Sequence, residues 1–169
     1  MTVTELKIRL YGDPCLRKKS TAVSQISCGE RELIKSMIAA MYTNKGVGLA
    51  AVQVGVDQRI FVADIGNGPI AFINPQIFKK SGSSVLEEGC LSIPDVTVEV
   101  RRAERVAIRY TTEENEQVQG VYEGLMARVI QHEDDHLNGK MIVDYAGFAQ
   151  KIKLRKKLKE IQKISREMQ

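Results

Sequence analysis

The only two histidines of this 169-residue chain stand four residues apart, in His132-Glu133-Asp134-Asp135-His136. No other feature constrains the fold as much. On an α-helix, residues i and i+4 share a face, so both imidazoles reach one volume and can bind a single divalent cation. A glutamate directly after the first ligand is placed to act as general base on an activated water, the pattern of metal-dependent hydrolases. The plainer reading is a polar helix with solvated histidines. The flanking residues oppose it: Leu125, Val129, His132 and His136 follow 4-3-4 spacing, with Met126, Ile130, Glu133 and Leu137 alongside, so the histidines continue an apolar face. Arg128, Gln131, Asp134 and Asp135 fall elsewhere, and Asn138-Gly139 supplies the stop.

Two imidazoles do not complete a catalytic metal site, which usually takes three protein ligands and a water. A third histidine six residues on is excluded because Ile142 stands there. A downstream carboxylate, Asp144 or Glu160, is one alternative, although Glu160 lies among lysines as an exposed helix charge would. Cysteine is the other. Cys90 stands in Glu87-Glu88-Gly89-Cys90-Leu91-Ser92-Ile93-Pro94, where Gly89 permits close backbone approach, and a thiolate suits zinc or ferrous iron. Cys15 and Cys28 read as inert, small apolar residues.

Taken in order, Gly46-Val47-Gly48-Leu49-Ala50-Ala51-Val52-Gln53, Glu88-Gly89-Cys90-Leu91-Ser92 and His132-Glu133-Asp134-Asp135-His136-Leu137 resemble the three motifs of the peptide deformylases, and the similarity runs from Tyr11-Gly12-Asp13-Pro14 to the C-terminal helix. The resemblance implies that Cys90, His132 and His136 bind the metal and that Glu133 is the acid/base. It further implies an oxyanion site made by Gln53 and the backbone N–H of Leu91. The activity implied is hydrolytic removal of the N-formyl group from the formylmethionine of new polypeptides, releasing formate. The implied cofactor is one divalent metal per chain, ferrous iron first, with zinc, nickel or cobalt as alternatives. Val52 departs from the proline often found before that glutamine. Val47, Leu86, Leu125 and Val129 are expected to wall the methionine side chain, and Gly48, Glu88 and Gly89 to meet the peptide backbone, with Arg128 at the pocket mouth or in solvent.

Two other functions compete. A metalloendopeptidase uses the same helix with a carboxylate third ligand, and an RNA- or ribosome-associated factor with a structural metal would close the site with four ligands.

The remaining sequence describes the scaffold. Leu33, Ile34, Met37, Ile38 and Met41 mark a helix at about 29–43, followed by a glycine-containing loop at 46–53. That loop lacks the Gly-Lys-Ser/Thr of a phosphate loop, so no nucleotide cofactor is expected. Strands are predicted at 59–64 and 70–74 around Gly66-Asn67-Gly68-Pro69, then at 96–100, 106–110 and 117–122, with Gly/Ser at 81–84 as a loop. The fold expected is α+β, one domain over residues 1–169. Mainly antiparallel sheets would surround the metal-binding helix, with N- and C-terminal helices outside. The 43% apolar content suffices for one core.

The net charge of +4 is unevenly spread: residues 151–169 carry +6 and the remainder −2. Ile152, Leu154, Leu158, Ile161 and Ile164 make an apolar stripe through this basic segment, so a helix at about 147–167 is expected. It either packs by one face with its charges solvated or offers phosphate attraction to ribosomal RNA. No stretch approaches the roughly 18 apolar residues of a spanning helix, and Met1-Thr2-Val3-Thr4-Glu5-Leu6-Lys7 lacks the features of a signal peptide. No membrane partner is expected. Three cysteines, one expected as a thiolate ligand, favour a reducing compartment. A bacterial-type cytoplasm is the first expectation and an organelle the alternative.

Overall fold

The strand-forming runs of this sequence are rich in valine, isoleucine and phenylalanine, and in the computed structural model, which describes residues 5–168, every strand pairing is antiparallel. Helix α1 (Cys28–Thr43) is followed by β1 (Gly48–Ala50), β2 (Ile60–Ala63), β3 (Ile70–Ser81), β4 (Ser84–Cys90), β5 (Ile93–Arg102), β6 (Arg105–Thr111) and β7 (Gln117–Glu123). Helix α2 (Gly124–Leu137) follows β7 directly, and α3 (Phe148–Glu167) is the last element among the described residues. Five strands form one sheet in the order β1-β2-β3-β6-β7, while β4 and β5 make a separate two-stranded sheet. Residues 1–4, part of the stretch read for a leader, lie outside the described residues, among which no helix is long and apolar enough to cross a membrane.

Period-two alternation explains how the five-stranded sheet is covered on both faces. On β2, Phe61 and Ala63 face α2 with Phe72, Ile108, Ala127 and Ile130. Ile60 and Val62 face α1 with Ile34, Met37, Met41 and Leu49. The Phe61 and Phe72 rings stack with centroids 4.6 Å apart, and each fully buried side chain of this kind contributes roughly 1.5–3 kcal/mol. The capping box at Ser27 and Glu30 starts α1 by satisfying N–H groups that the first turn leaves unpaired. A third core gathers Val96, Val98 and Val100 of β5 with Leu16, Ile142 and Ile161 of α3.

Several expectations need correction. The segment 46–53 is not wholly loop: it holds β1 and a 3-10 turn at Ala51–Val54, closed by Gly55 N–H donating to Val52 O at 3.0 Å, so Val52 occupies a tight buried turn. Strand β3 runs on to Ser81, and only residues 82–83 separate it from β4. Arg128 and Gln131, off the apolar face of α2, are nonetheless buried, because the β4–β5 sheet and the turn at Ala103 cover that flank. The stripe on α3 is displaced: Ile161 and Ser165 are buried with Leu154 and Leu158 packed beside them, whereas Ile152 is 59% exposed and Ile164 48%. Cys28 is exposed at the start of α1. Cys15 is half-buried, its thiol pushed up to about 12 by burial and by Asp13.

Candidate metal centre and active site

Helix α2 is amphipathic and lies against the five-stranded sheet, so its histidine pair comes from a fixed element. Asn138 caps it, and Gly139 adopts φ 72° where an added Cβ would meet Arg17 O at 2.5 Å, which ends the helix sharply. The sulfur comes from elsewhere in the chain. Cys90 is the last residue of β4 before the two-residue turn Leu91-Ser92, and the β4–β5 register shifts between Glu88 and Cys90. Such irregularities re-aim side chains at strand ends.

Cys90, His132 and His136 form the one group among the described residues able to hold a metal, with donor atoms all within 4.8 Å of one another. Cys90 Sγ lies 3.2 Å from His136 Nε2. His132 Nδ1 contacts Glu88 Oε2 at 3.1 Å, which leaves Nε2 of that ring for a metal. Burial and the neighbouring His132 disfavour the protonated form of His136, as a metal ligand requires. One thiolate and two imidazoles suit a divalent transition metal. The other candidate ligands stand apart: Asp144 pairs with Arg17 at 2.6 Å, and Glu160 is an exposed residue of α3.

Glu133 is 3% exposed, and its Oε2 is buried without a hydrogen-bond partner. Burial pushes its carboxyl up to about 7, against the pull of His132 and Arg102. Gly48 makes room for it, since an added Cβ would sit 2.4 Å from Glu133 Oε1. Gln53 is 1% exposed; its Oε1 accepts from Ala50 N–H at 2.8 Å, and its Nε2 donates to Ser92 Oγ at 3.2 Å, 3.6 Å from Cys90 Sγ.

Around these groups opens a cleft of about 590 Å³ lined by Val47, Gly48, Gln53, Glu88, Gly89, Cys90, Leu91, Leu125, Val129, His132 and Glu133, among others. Leu86 is the exception among the expected walls: it is exposed and lines a neighbouring cavity instead. Gly89 lines the cleft but makes no close backbone approach within the chain. An added Cβ there would meet nothing nearer than Val96 O at 3.9 Å, so its small size keeps the cleft open and relieves no clash.

The Glu88 carboxylate is turned inward and is not free for a peptide backbone. It accepts from Arg102 Nε at 3.0 Å and Nη2 at 2.9 Å and from Arg128 Nη1 at 2.7 Å. Burial alone would raise its pKa, but the hydrogen bonds to His132 and Arg102 and the Arg102 charge prevail and hold it at about 2. Arg102 also pairs with Asp135 at 2.5 Å, and Asp135 accepts from the Tyr145 hydroxyl at 2.7 Å. Arg128 therefore lies not in solvent but buried at the border of the cleft, its guanidinium tied to Glu88, Val100 and Ser84. The role of Arg102 was missed, although strand alternation signals it: Val96, Val98, Val100 and Arg102 all fall on the buried face of β5.

The family model for polypeptide deformylase matches residues 5–153. A peptide deformylase of Thermotoga petrophila is 49% identical over 156 residues, covering 92% of this chain and 95% of its own length. The crystal structure of the enzyme from Thermus thermophilus superposes with a TM-score of 0.90 at 41% identity, covering 94% of this chain and 98% of that one. For the Thermotoga maritima structure the values are 0.83 and 46%, over 85% and 99%. With a matching model over most of its length, close relatives and the same fold, the chain belongs to the peptide deformylases, metal-dependent hydrolases that remove the N-formyl group from nascent peptides.

Proposed function

We propose that Cys90, His132 and His136 hold one divalent metal and that Glu133 moves the protons of formamide hydrolysis. The observation that carries this reading is a buried carboxylate with an unpartnered oxygen, backed by Gly48 and adjacent in sequence to the first imidazole. A metal bound by these ligands supplies Lewis acidity, lowering the pKa of water and polarising the formyl oxygen. Glu133 accepts a proton from the water that adds to the formyl carbon. It then delivers that proton to the amide nitrogen as the C–N bond breaks, giving formate and a free amine. A carboxyl poised near neutrality suits both transfers.

Gln53 and the Leu91 N–H meet the negative charge that develops on the formyl oxygen. The bond from Ala50 fixes the Gln53 oxygen and so turns its amide N–H groups toward Ser92 and Cys90. One such donor typically contributes roughly 100- to 1,000-fold in rate. Val47, Leu125 and Val129 surround the methionine side chain. The extended peptide lies along β4, whose second edge pairs with no described strand, between Gly48 and Gly89. Glu88 orients His132 and does not touch the substrate.

Ferrous iron is the proposed native ion, and zinc, nickel and cobalt would fit the same donors. The thiolate ligand and three free cysteines support a reducing cytoplasm. We assign the whole chain to one catalytic domain, with α3 as its basic ribosome-facing helix. Formate release from N-formyl-Met-Ala by anaerobically prepared protein, beside a casein-cleavage control, tests the reading. Formate without casein cleavage is expected; casein cleavage without formate would overturn it.

A further inference from the structure

A second cavity, of about 570 Å³, adjoins the metal-site cleft, and two residues of α2, Leu125 and Arg128, line both. Leu125 is 54% exposed and held by no polar contact, whereas Arg128 is buried and anchored at its far end. Its Nη1 donates to Glu88 Oε1 at 2.7 Å and Val100 O at 2.9 Å, and its Nη2 to Ser84 O at 3.0 Å and Ser84 Oγ at 2.8 Å. The side chain starts on α2 and ends on β4 and β5. It is a bar across the gap between helix and hairpin, and both cavities are lined by it. Rotating it away would leave a buried carboxylate and strand carbonyls without this donor, so the bar is stiff.

Resting on the reading that the cleft takes the methionine side chain against Leu125 and Val129, we propose that Arg128 is a specificity-determining residue: it closes the methionine pocket against the second cavity and so limits the length of the first side chain accepted. The apolar stem of the arginine forms the end wall while its charged head is satisfied on the strands. Beyond the bar lies an open cavity in which Leu86 and Leu125 supply apolar contact for a longer chain, and Ser81, Ser84, Glu104, Arg105 and Glu123 the polar lining. Removing the bar does not release His132, because Glu88 keeps its two bonds to Arg102.

The test uses formyl-X-Ala peptides in which X is methionine, norleucine, 2-aminooctanoic acid or 2-aminodecanoic acid. Wild type and Arg128→Ala are matched for metal content. Wild-type kcat/KM should fall by about tenfold or more from norleucine to 2-aminodecanoic acid, and Arg128→Ala should raise the long-to-methionine ratio by about tenfold. If Arg128→Ala does not fold, Arg128→Met, which keeps an apolar stem without the anchors, should raise the ratio in the same direction. A wild type that hydrolyses the longest substrate as readily as methionine, or a folded variant with the wild-type ratio, would overturn the proposal while leaving deformylation intact. No formate from formyl-methionyl peptides with metal-loaded wild type would instead sink the deformylation reading, and this one with it.

Discussion

At Gly48 one hydrogen atom in place of a side chain decides where Glu133 can sit. The Cβ of an alanine would fall 2.4 Å from Glu133 Oε1 and 2.9 Å from Val129 Cγ1, and a buried carboxylate has little room to retreat. Gly48→Ala should therefore keep metal and overall structure but lose about 100-fold in kcat, the scale of loss for a displaced catalytic group. Steady-state kinetics with circular dichroism and metal analysis checks this; a near-normal kcat would mean that Glu133 tolerates displacement. Glu133→Gln goes further by removing the proton acceptor while preserving shape. Turnover should drop by about 100-fold or more with bound metal retained, and near-wild-type turnover would remove Glu133 from its role.

Among elements, the β4–β5 hairpin and α2 are joined by charges as well as by packing. Glu88 has a folded pKa of about 2, below its ordinary 4.5, so the stability it contributes is fully present above about pH 4.5 and is lost as pH falls toward 2. Glu88→Gln should cost about 3 kcal/mol at neutral pH, because Arg128 and part of Arg102 lose their counter-charge in a buried place. The gap between wild-type and variant melting temperatures should narrow from pH 5 to pH 2.5; a constant gap would show that the ion pair does not couple hairpin to helix. This seam was the least legible part of the sequence. Helix α2 and its paired histidines follow from i, i+4 spacing, and α1 from its apolar periodicity, because those signals are local. Where Arg128 ends is not local: its partners Ser84, Glu88 and Val100 are 28 to 44 residues away. The α3 stripe misled for a related reason, since helical periodicity gives the apolar positions but not which of them the third core can reach.

Over the whole molecule, positive charge gathers on α3 while the proposed ligands come from β4 and α2, so binding of a polyanion and hydrolysis should be separable. Lys153, Lys156 and Lys163 are exposed, whereas Lys157 pairs with Asp95 at 3.2 Å on the rim of the cleft and is best left alone. Reversing the first three to glutamate should leave short formyl-peptide turnover within about twofold while weakening salt-sensitive ribosome association, as phosphate neutralisation predicts. Sedimentation with ribosomes across a salt series decides; equal binding at every salt concentration would leave α3 as a packing helix only. The division of the strands into two sheets bears on time as well as place. Cys90 belongs to the small hairpin and both histidines to a helix seated on the large sheet, so the three donors stay together only while two bodies with no shared ladder remain docked. Amide hydrogens of β4 and β5 should exchange sooner than those of β2 and β3, and added metal should slow the hairpin selectively. The lifetime of the bound ion would then be the lifetime of that docking, and the protein would lose its metal by unclasping while most of its fold stays closed.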